Sequence, residues 1–367
     1  MLWTLLRQRE ITLVTLGDGL ASYLENPDES TTDRCLLSKK EVLRSSERVT
    51  SRTWKTDTPK PVPYSGSHTK RWYNAVSPKR WTVSMLSCIT TLLIVGWLLR
   101  IALKNDNNAP NPIVNYTFGA LNPNAVTGFR TPHGIAALAA CVLMANLPQM
   151  ILSFLYVLYN GLYTSMHLAH EYGGYAAARK PLRVTVPKGA QRSTYWLQLP
   201  YAYGVPLIVA SATMHWLISQ SIFLARVAVW RDDGMESEDP SATFSAVGYS
   251  SSAILSTIVF GTCMLLVVIA ISFKRLPGII PIAGSCSMAL AAAAHRPESD
   301  VDAAVLPVKW GVVNMEGDDD VGHCCFTSEE VTEPQEGKLY AGDVRGTTNS
   351  GLRCRAPDEG RLANQNR

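Results

Sequence analysis

Four long apolar stretches alternate with polar segments along the chain. They lie at about residues 81–103, 134–166, 205–229 and 250–273. Each stretch reaches the roughly 20 residues that a helix needs to cross a bilayer. Because hydrocarbon offers the backbone no hydrogen-bond partners, each stretch is expected to be helical. The pattern predicts an all-α integral membrane protein, a bundle of about four transmembrane helices with irregular cytoplasmic N- and C-terminal segments.

The segments outside these stretches complete the predicted domain organisation. In chain order we predict a cytoplasmic N-terminal segment (1–80), a transmembrane domain (81–275), a re-entrant or interfacial segment (276–296) and a cytoplasmic tail (297–367). The third of these is apolar, but two prolines and two glycines between Pro277 and Gly284 disfavour a regular helix. A fifth span is the alternative. From about residue 335 the composition of the tail is typical of disorder.

Charge in the flanking segments predicts the orientation of the helices. Five Lys or Arg residues and no acid lie between Lys60 and Arg80, and five Lys or Arg residues lie between Arg179 and Arg192. The segment 231–239 instead holds five Asp or Glu residues. Since positively charged loops are retained in the cytoplasm, both termini are predicted to be cytoplasmic, in the plasma membrane or an endomembrane.

Two further features agree with this orientation. Asn115-Tyr116-Thr117 is a sequon in the first predicted outer loop, although such triplets also arise by chance. The 8 cysteines all lie in predicted helices or cytoplasmic segments, so no disulfide framework is expected. The sequence thus predicts a glycoprotein modified at Asn115.

Polar residues of the second stretch recur on one helical face, which we call the polar seam. Alternating steps of three and four residues keep them on that face. They are Asn146, Gln149, Ser153, Tyr156, Asn160, Tyr163, His167 and His170. One interpretation is helix packing through interhelical hydrogen bonds. The other is a polar pathway or binding cleft that faces the bundle interior.

His215 lies in the third stretch, on the same helical face as Ser211 and Ser219. An ionisable residue within a membrane span is a candidate for function, and Gln149 or Asn146 of the seam would be its partner. A packed, hydrogen-bonded histidine is the alternative. The candidate site therefore comprises Asn146, Gln149, Ser153, Tyr156, Asn160 and His215.

Few residues indicate metal binding, lipidation, catalysis or nucleic-acid binding. His167, His170 and Glu171 share one side of a helix as candidate metal ligands, but neither an HExxH nor a CxxC motif is present. His323-Cys324-Cys325 is a candidate metal or palmitoylation patch, against the alternative of tail residues without a special role. No catalytic residue, cofactor or resident metal is predicted. No basic block with interleaved aromatic residues indicates a nucleic-acid partner.

Five stretches of sequence carry a family resemblance. They are LGDGLASYLENPDESTTDRCLLSK, ANLPQMILSFLYVLYNGLYTSMHLAHEY, KPLRVTVPKGAQRSTYWLQLPYAYGVPL, HWLISQSIF and IPIAGSCSMALAAAAH. Together they resemble an uncharacterised group of filamentous-fungal multi-pass membrane proteins that carry a domain of unknown function. The resemblance covers roughly residues 10–330 and is to the C-terminal portion of proteins with additional spans. It implies a fungal membrane protein and no established activity.

These observations lead to a functional expectation. The chain is expected to be non-enzymatic and transport-like or solute-sensing, with the polar seam of the second span facing the third. A membrane scaffold that recruits protein partners through its cytoplasmic segments is the alternative, and a metal-dependent intramembrane enzyme is a third interpretation. The expected partners are the lipid bilayer, a small solute, and proteins that bind the cytoplasmic tail.

Overall fold

The computed structural model describes residues 13–48, 61–66, 70–105, 118–119, 135–197, 199–227, 244–313 and 321–341. The α-helices are α1 (Leu16–Glu25), α2 (Lys39–Arg48), α3 (Pro78–Asn105), α4 (Ile135–Ala177), α5 (Tyr201–Ser221), α6 (Ser251–Ser272) and α7 (Ser287–Ala293). The strands are β1 (Val62–Pro63), β2 (Arg183–Val184), β3 (Arg192–Ser193), β4 (Ile222–Val227), β5 (Phe244–Tyr249), β6 (Lys309–Val313), β7 (Val321–Thr327) and β8 (Leu339–Tyr340). The predicted glycosylation site at Asn115 lies outside the described residues.

The chain divides into two compact units. Unit 1 combines three segments that are distant in sequence: Met1–Gly66, Ala178–Arg192 and Cys286–Arg367. Unit 2 consists of Ser67–Ala177 and Ser193–Ser285. The four predicted spans all belong to unit 2, and the predicted N-terminal segment and tail contribute to unit 1.

Unit 2 is built on helices α3 to α6. Each contains a stretch that is long and apolar enough to cross a membrane, at Pro78–Lys104, Leu138–Ala177, Tyr201–Ser221 and Ser251–Ser272. Large apolar side chains point away from the protein interior, including Leu93 (69% exposed) and Leu143 (71% exposed). Exposed apolar surface of this extent is suited to hydrocarbon and costly in water. The prediction of four apolar, membrane-compatible helices is confirmed.

Two of these helices differ from their predicted bounds. Helix α4 continues to Ala177, which makes it 43 residues and therefore about 64 Å long at 1.5 Å per residue. Helix α5 ends at Ser221, and the residues that follow form β4, which pairs antiparallel with β5. Hydropathy alone does not separate the end of an apolar helix from an apolar strand, because β-branched and aromatic residues such as Ile222 and Phe223 suit both.

Unit 1 contains a mixed four-stranded sheet in the order β1-β8-β7-β6, with β7 and β8 parallel and the other pairs antiparallel. Helices α1 and α7 contact each other, and α7 also contacts β7. The interior holds Leu20, Leu24, Trp310 and Phe326, each at most 2% exposed. The all-α class predicted from the sequence is therefore wrong for this unit, and its segments are not irregular.

Two segments have a different structure from the one that the sequence predicted. Residues 335–341, which were expected to be disordered, include β8, whereas residues 342–367 lie outside the described part of the chain. The apolar segment 276–296 is divided, since residues up to Ser285 belong to unit 2 and α7 belongs to unit 1. In α7, Ala289 and Ala291–Ala293 are at most 3% exposed. Packing inside unit 1 accounts for this apolar composition, and no candidate span covers the segment among the described residues.

Candidate functional site

One pair of side chains, Gln149 and His215, joins the polar seam to α5 by hydrogen bonds. The Gln149 amide nitrogen donates to the carbonyl oxygen of His215 at 3.0 Å, and Gln149 Oε1 lies 2.5 Å from His215 Nδ1. Because an amide oxygen only accepts hydrogen bonds, the proton of neutral His215 resides on Nδ1. The two bonds fasten α4 to α5 and leave His215 Nε2 as the free acceptor position of the ring.

Two seam residues form hydrogen bonds within their own helix instead. Asn146 is exposed and donates to the carbonyl oxygen of Val142 at 2.8 Å, and exposed Ser153 donates to that of Gln149 at 3.0 Å. Asn160 is half-buried. The expectation that the whole seam faces the bundle interior is therefore wrong for Asn146 and Ser153. Their polar groups are satisfied by carbonyls one turn earlier in their own helix, so they need no interior partner.

An apolar cavity of about 240 Å³ lies among the four helices of unit 2. Side chains from α3, α4, α5 and α6 line it, among them Leu92, Leu152, Met214 and Ile258. Of the predicted seam, Tyr156 lines this cavity, and the Gln149–His215 pair is not part of its described lining. The cavity is thus separate from the polar pair.

Four hydroxyls of the cavity wall have hydrogen-bond partners within the protein: those of Thr91, Tyr159, Ser221 and Thr257. Ser221 donates to the carbonyl oxygen of Leu217 at 2.8 Å, Thr257 to that of Ala253 at 2.9 Å, and the two hydroxyl oxygens are 3.0 Å apart. Paired hydroxyls offer little to a polar guest. The wall therefore favours an apolar molecule over water or an ion.

A group of aromatic and basic side chains lies elsewhere in unit 2. We call it the Trp72 cluster; it comprises Trp72, His167, His170, Tyr203 and Lys274. The Trp72 ring lies 4.8 Å from His167 and 5.2 Å from His170, centroid to centroid. Lys274 Nζ donates to the Tyr203 hydroxyl at 3.0 Å and lies 5.5 Å from the centre of the Trp72 ring.

The Trp72 cluster contains two unsatisfied polar atoms. Trp72 Nε1 and His167 Nε2 are buried without a hydrogen-bond partner. His167 and His170, which the sequence offered with Glu171 as metal candidates, both contact the Trp72 ring. Within the described part of the chain, no group of three or more His, Cys, Asp or Glu residues is arranged to hold a metal ion.

Unit 1 encloses a thiol–imidazole group formed by Cys35, His323, Cys324 and Cys325. The first is 3% exposed and the other three are fully buried. His323 Nε2 donates to the carbonyl oxygen of His295 at 2.8 Å. A palmitoylation patch at His323-Cys324-Cys325 does not fit these positions, because a thiol in the interior of a sheet is not accessible to an acyl donor.

The members of this group perturb one another's ionisation. The Cys324 thiol beside it, together with His323, lowers the pKa of Cys35 although burial opposes the charge. The same contact and burial raise the pKa of Cys324. Burial disfavours the charged imidazole, but the thiols of Cys325 and Cys35 raise the pKa of His323 well above its ordinary value.

The start of α1 holds residues 183–185 through one carboxylate, an arrangement we call the Asp18 clamp. Asp18 accepts hydrogen bonds from the Thr185 amide at 2.8 Å, the Thr185 hydroxyl at 2.7 Å and the Thr15 amide at 2.9 Å. Thr15 caps α1 in return and donates to the carbonyl oxygen of Arg183 at 2.9 Å. Sequence reasoning missed this clamp, although the pair Thr15 and Asp18 has the spacing of a capping box.

Ionised Asp18 stabilises unit 1. Burial opposes its charge, but the hydrogen bonds from Thr185 and Thr15 outweigh that effect and hold its pKa below the ordinary value of 3.8. A carboxyl whose folded pKa is lowered contributes its full stabilisation above the unfolded pKa. This contribution is lost as the pH falls through the lowered folded pKa.

Comparison with known proteins identifies a family but no characterised relative. Neither the curated proteins nor the solved structures contain a match to this chain. A family model described as "Domain of unknown function (DUF8419)" matches residues 44–317, which include all four apolar helices and much of unit 1. The chain therefore belongs to the DUF8419 family.

Proposed function

We propose that unit 2 is a non-enzymatic membrane bundle that binds an apolar molecule, the acyl chain of a membrane lipid, between its four helices. The cavity of about 240 Å³ carries this proposal. Binding there serves a transport-like or solute-sensing role, with hydrocarbon as the solute. The observation revises the expectation of a hydrophilic pathway along the polar seam, because the seam contributes only Tyr156 to the described cavity wall.

The size and chemistry of the cavity support a hydrocarbon guest. Apolar cavities of about 150 Å³ in other proteins stay free of water and accept molecules of the size of benzene. This cavity is larger, and in its wall the hydroxyl oxygens of Ser221 and Thr257 lie 3.0 Å apart, each within hydrogen-bond distance of a carbonyl oxygen of its own helix. A chain that enters from the bilayer already lies in hydrocarbon, so it exchanges lipid contacts for protein contacts without a desolvation cost.

Two glycines give a matched test of cavity binding. Gly261 lines the cavity, and a Cβ atom there would lie 3.2 Å from Leu92 Cδ2 and 3.7 Å from Met214 Cε. A Cβ atom on Gly96 of α3 would meet nothing within 4 Å. Gly261→Leu therefore places a side chain in the cavity, whereas Gly96→Leu places the same side chain in open space.

We expect Gly261→Leu to abolish photocrosslinking within the cavity, and Gly96→Leu to preserve it. The probe is a phosphatidylcholine with a diazirine in one acyl chain, added to the full-length protein in bilayers. Peptide mapping should place the wild-type crosslinks on lining residues such as Leu152 and Ile258. Thermal unfolding of both variants verifies folding, since filling a cavity commonly stabilises a protein by about 0.5–2 kcal/mol.

Equal crosslinking of both glycine variants, in folded protein, would contradict lipid binding in the cavity. Crosslinks confined to outward-facing residues such as Leu93 and Leu143 would do the same, because these side chains contact bulk lipid. Either result would favour the alternative function, a membrane scaffold that recruits protein partners through its cytoplasmic segments.

We also propose that both termini are cytoplasmic and that Asn115 is glycosylated. The flanking charges support this orientation, and the fungal resemblance supports a fungal source. Glycosidase treatment should shift the mobility of the wild-type protein and leave Asn115→Gln unchanged. An epitope at the C-terminus should be digested by protease added to sealed microsomes. A protected epitope would exclude four spans with both ends in the cytoplasm.

A further inference from the structure

Two basic segments of unit 2 pair side by side, and we call them the basic ladder: Lys70-Arg71 and Lys274-Arg275. The Trp72 amide donates to the carbonyl oxygen of Lys274 at 2.9 Å, and the Leu276 amide donates to that of Lys70 at 2.9 Å. Arg71 and Arg275 face each other in an antiparallel bridge. The pairing therefore brings four cationic residues from distant parts of the sequence together.

The basic ladder lies where two candidate spans meet their flanking segments. Helix α6 ends at Ser272, two residues before Lys274, and α3 begins at Pro78, six residues after Trp72. Phe273 is exposed between them, and the Arg71 guanidinium lies 5.8 Å from the centre of its ring. Since both helices have the length and hydropathy of membrane spans, the ladder is placed at the level where hydrocarbon gives way to lipid headgroups.

Among the described residues, no carboxylate forms an ion pair with Arg71, Lys274 or Arg275. Lys274 and Arg275 are exposed, and Arg71 is half-buried. The ion pair found among the described residues joins Arg179 to Glu330 in unit 1, and it involves no residue of the ladder. Three cationic groups without an acidic partner at one level of the bundle attract an anion.

The neighbouring Trp72 cluster contains a hydrogen-bond donor that has no described acceptor. Trp72 is 2% exposed, and its Nε1–H group has no acceptor within the described structure. Lys274 belongs to both the ladder and the cluster, with its ammonium group 5.5 Å from the Trp72 ring. A buried indole N–H normally has a hydrogen-bond partner, and the described residues supply none, so this group is available to an acceptor that enters the cluster.

We propose that the basic ladder and Trp72 bind the phosphate headgroup of an anionic phospholipid. Phosphate oxygens accept hydrogen bonds. They also carry negative charge, which would pair with the cationic groups of Arg71, Lys274 and Arg275. The ends of α3 and α6 place these donors beside the headgroups of one leaflet, which favours a lipid over a soluble phosphate. This site is separate from the apolar cavity and does not depend on the function proposed for it.

The proposal is tested by lipid titration of the full-length protein in detergent, followed by native mass spectrometry. The probes are phosphatidylserine and phosphatidylcholine with identical acyl chains. We expect wild type to retain phosphatidylserine preferentially. Lys274→Gln with Arg275→Gln should lower the apparent affinity by about 25-fold, at roughly fivefold for each cation removed near a membrane surface. Trp72→Phe, which removes one donor and keeps an aromatic ring, should lower it by about fivefold.

Lys79→Gln is the matched control. Lys79 is an exposed cation at the start of the same helix, but it lies outside the ladder. Lys79→Gln should therefore leave the selectivity unchanged, and so should Gly261→Leu, which alters only the cavity. Lys274→Gln also removes the hydrogen bond to the Tyr203 hydroxyl, so thermal unfolding is measured to show that the double variant stays folded.

Four results would overturn the proposal. The first is equal retention of the two lipids by wild type, and the second is unchanged selectivity in the folded Lys274→Gln, Arg275→Gln variant. The third is displacement of phosphatidylserine by an equal concentration of inorganic phosphate, which would identify a site for a soluble anion. An equal loss of selectivity in Lys79→Gln would attribute the lipid preference to general surface charge and would also overturn the proposal.

Discussion

Gly17→Ala is expected to destabilise unit 1 strongly, although it adds a single methyl group to a helix. A Cβ atom at position 17 would lie 2.1 Å from the carbonyl oxygen of Arg183 and 2.7 Å from its carbonyl carbon. Both are backbone atoms, which cannot rotate away as a side chain can. We expect a loss of about 3 kcal/mol in the free energy of unfolding, at the upper end for overpacked sites.

The Asp18 clamp makes relief of this clash costly. Moving α1 away from residues 183–185 would stretch the bonds from Thr185 to the Asp18 carboxylate, which are 2.7 and 2.8 Å long. Hydrogen bonds to a charged group are worth about 1.5–3 kcal/mol each. The helix therefore cannot retreat without losing the contacts that hold it.

Gly19→Ala is the control on the same helix. A Cβ atom at position 19 would lie 3.6 Å from Leu290 Cδ1, an ordinary van der Waals distance. Alanine is favoured over glycine within a helix by about 1 kcal/mol, so this variant should be neutral or slightly stabilising. Limited proteolysis of the full-length protein, with fragments mapped to unit 1, distinguishes the variants. Equal resistance of Gly17→Ala and wild type would contradict the close approach of α1 to Arg183.

The membrane-compatible helices could be predicted from the sequence because their signal is local. Hydrocarbon requires about 20 consecutive apolar residues, and that run is visible without any knowledge of packing. The same rule placed α3 and α6 within a few residues of their observed bounds. It failed at Ile222, where the apolar run continues but the chain changes from helix to strand.

Unit 1 could not be predicted in this way because its core is assembled from distant segments. Leu20 comes from the N-terminal segment, Leu182 from the loop between two spans, and Phe326 from the tail, yet each is fully buried. None of these segments holds enough apolar residues to suggest a core by itself. Short strands such as β8 add little to hydropathy, so the segments appeared irregular.

The polar seam shows why helical periodicity did not identify the hydrogen-bond partners in the candidate site. Spacing correctly places Asn146, Gln149 and Ser153 near one another on α4, but it does not say where each polar group finds its partner. Gln149 reaches across to His215, whereas Asn146 and Ser153 bond to carbonyls of their own helix. The functional role of the seam stays a prediction. The cavity left no sequence signal, because it depends on how four helices pack.

Gly173→Ala is expected to have the largest effect of any single methyl group in unit 2. A Cβ atom at position 173 of α4 would lie 2.2 Å from the carbonyl oxygen of Pro277. The contact is reciprocal, since a Cβ atom on Gly278 would lie 2.4 Å from the carbonyl oxygen of Gly173. Gly278 also has φ +76°, a conformation in which a side chain is strained. Two backbones thus touch directly where α4 meets the segment after α6.

Gly161→Ala provides the comparison within the same helix. A Cβ atom at position 161 would approach only Arg80 Nη2, at 3.1 Å, and the end of an arginine side chain moves easily. We expect Gly161→Ala to unfold within about 1 kcal/mol of wild type and Gly173→Ala to lose about 3 kcal/mol. Thermal unfolding in detergent, monitored by the monodisperse fraction on size exclusion, measures both variants.

Similar stability of the two α4 variants would show that Pro277 and Gly278 do not contact α4 as described. Destabilisation of Gly173→Ala alone would show how the apolar segment after α6 is attached. Its first residues would then be held by direct backbone contact with the end of α4, within unit 2. Such an attachment explains Gly278, which the sequence presented only as a helix breaker, because it supplies both the left-handed turn and the space that α4 requires.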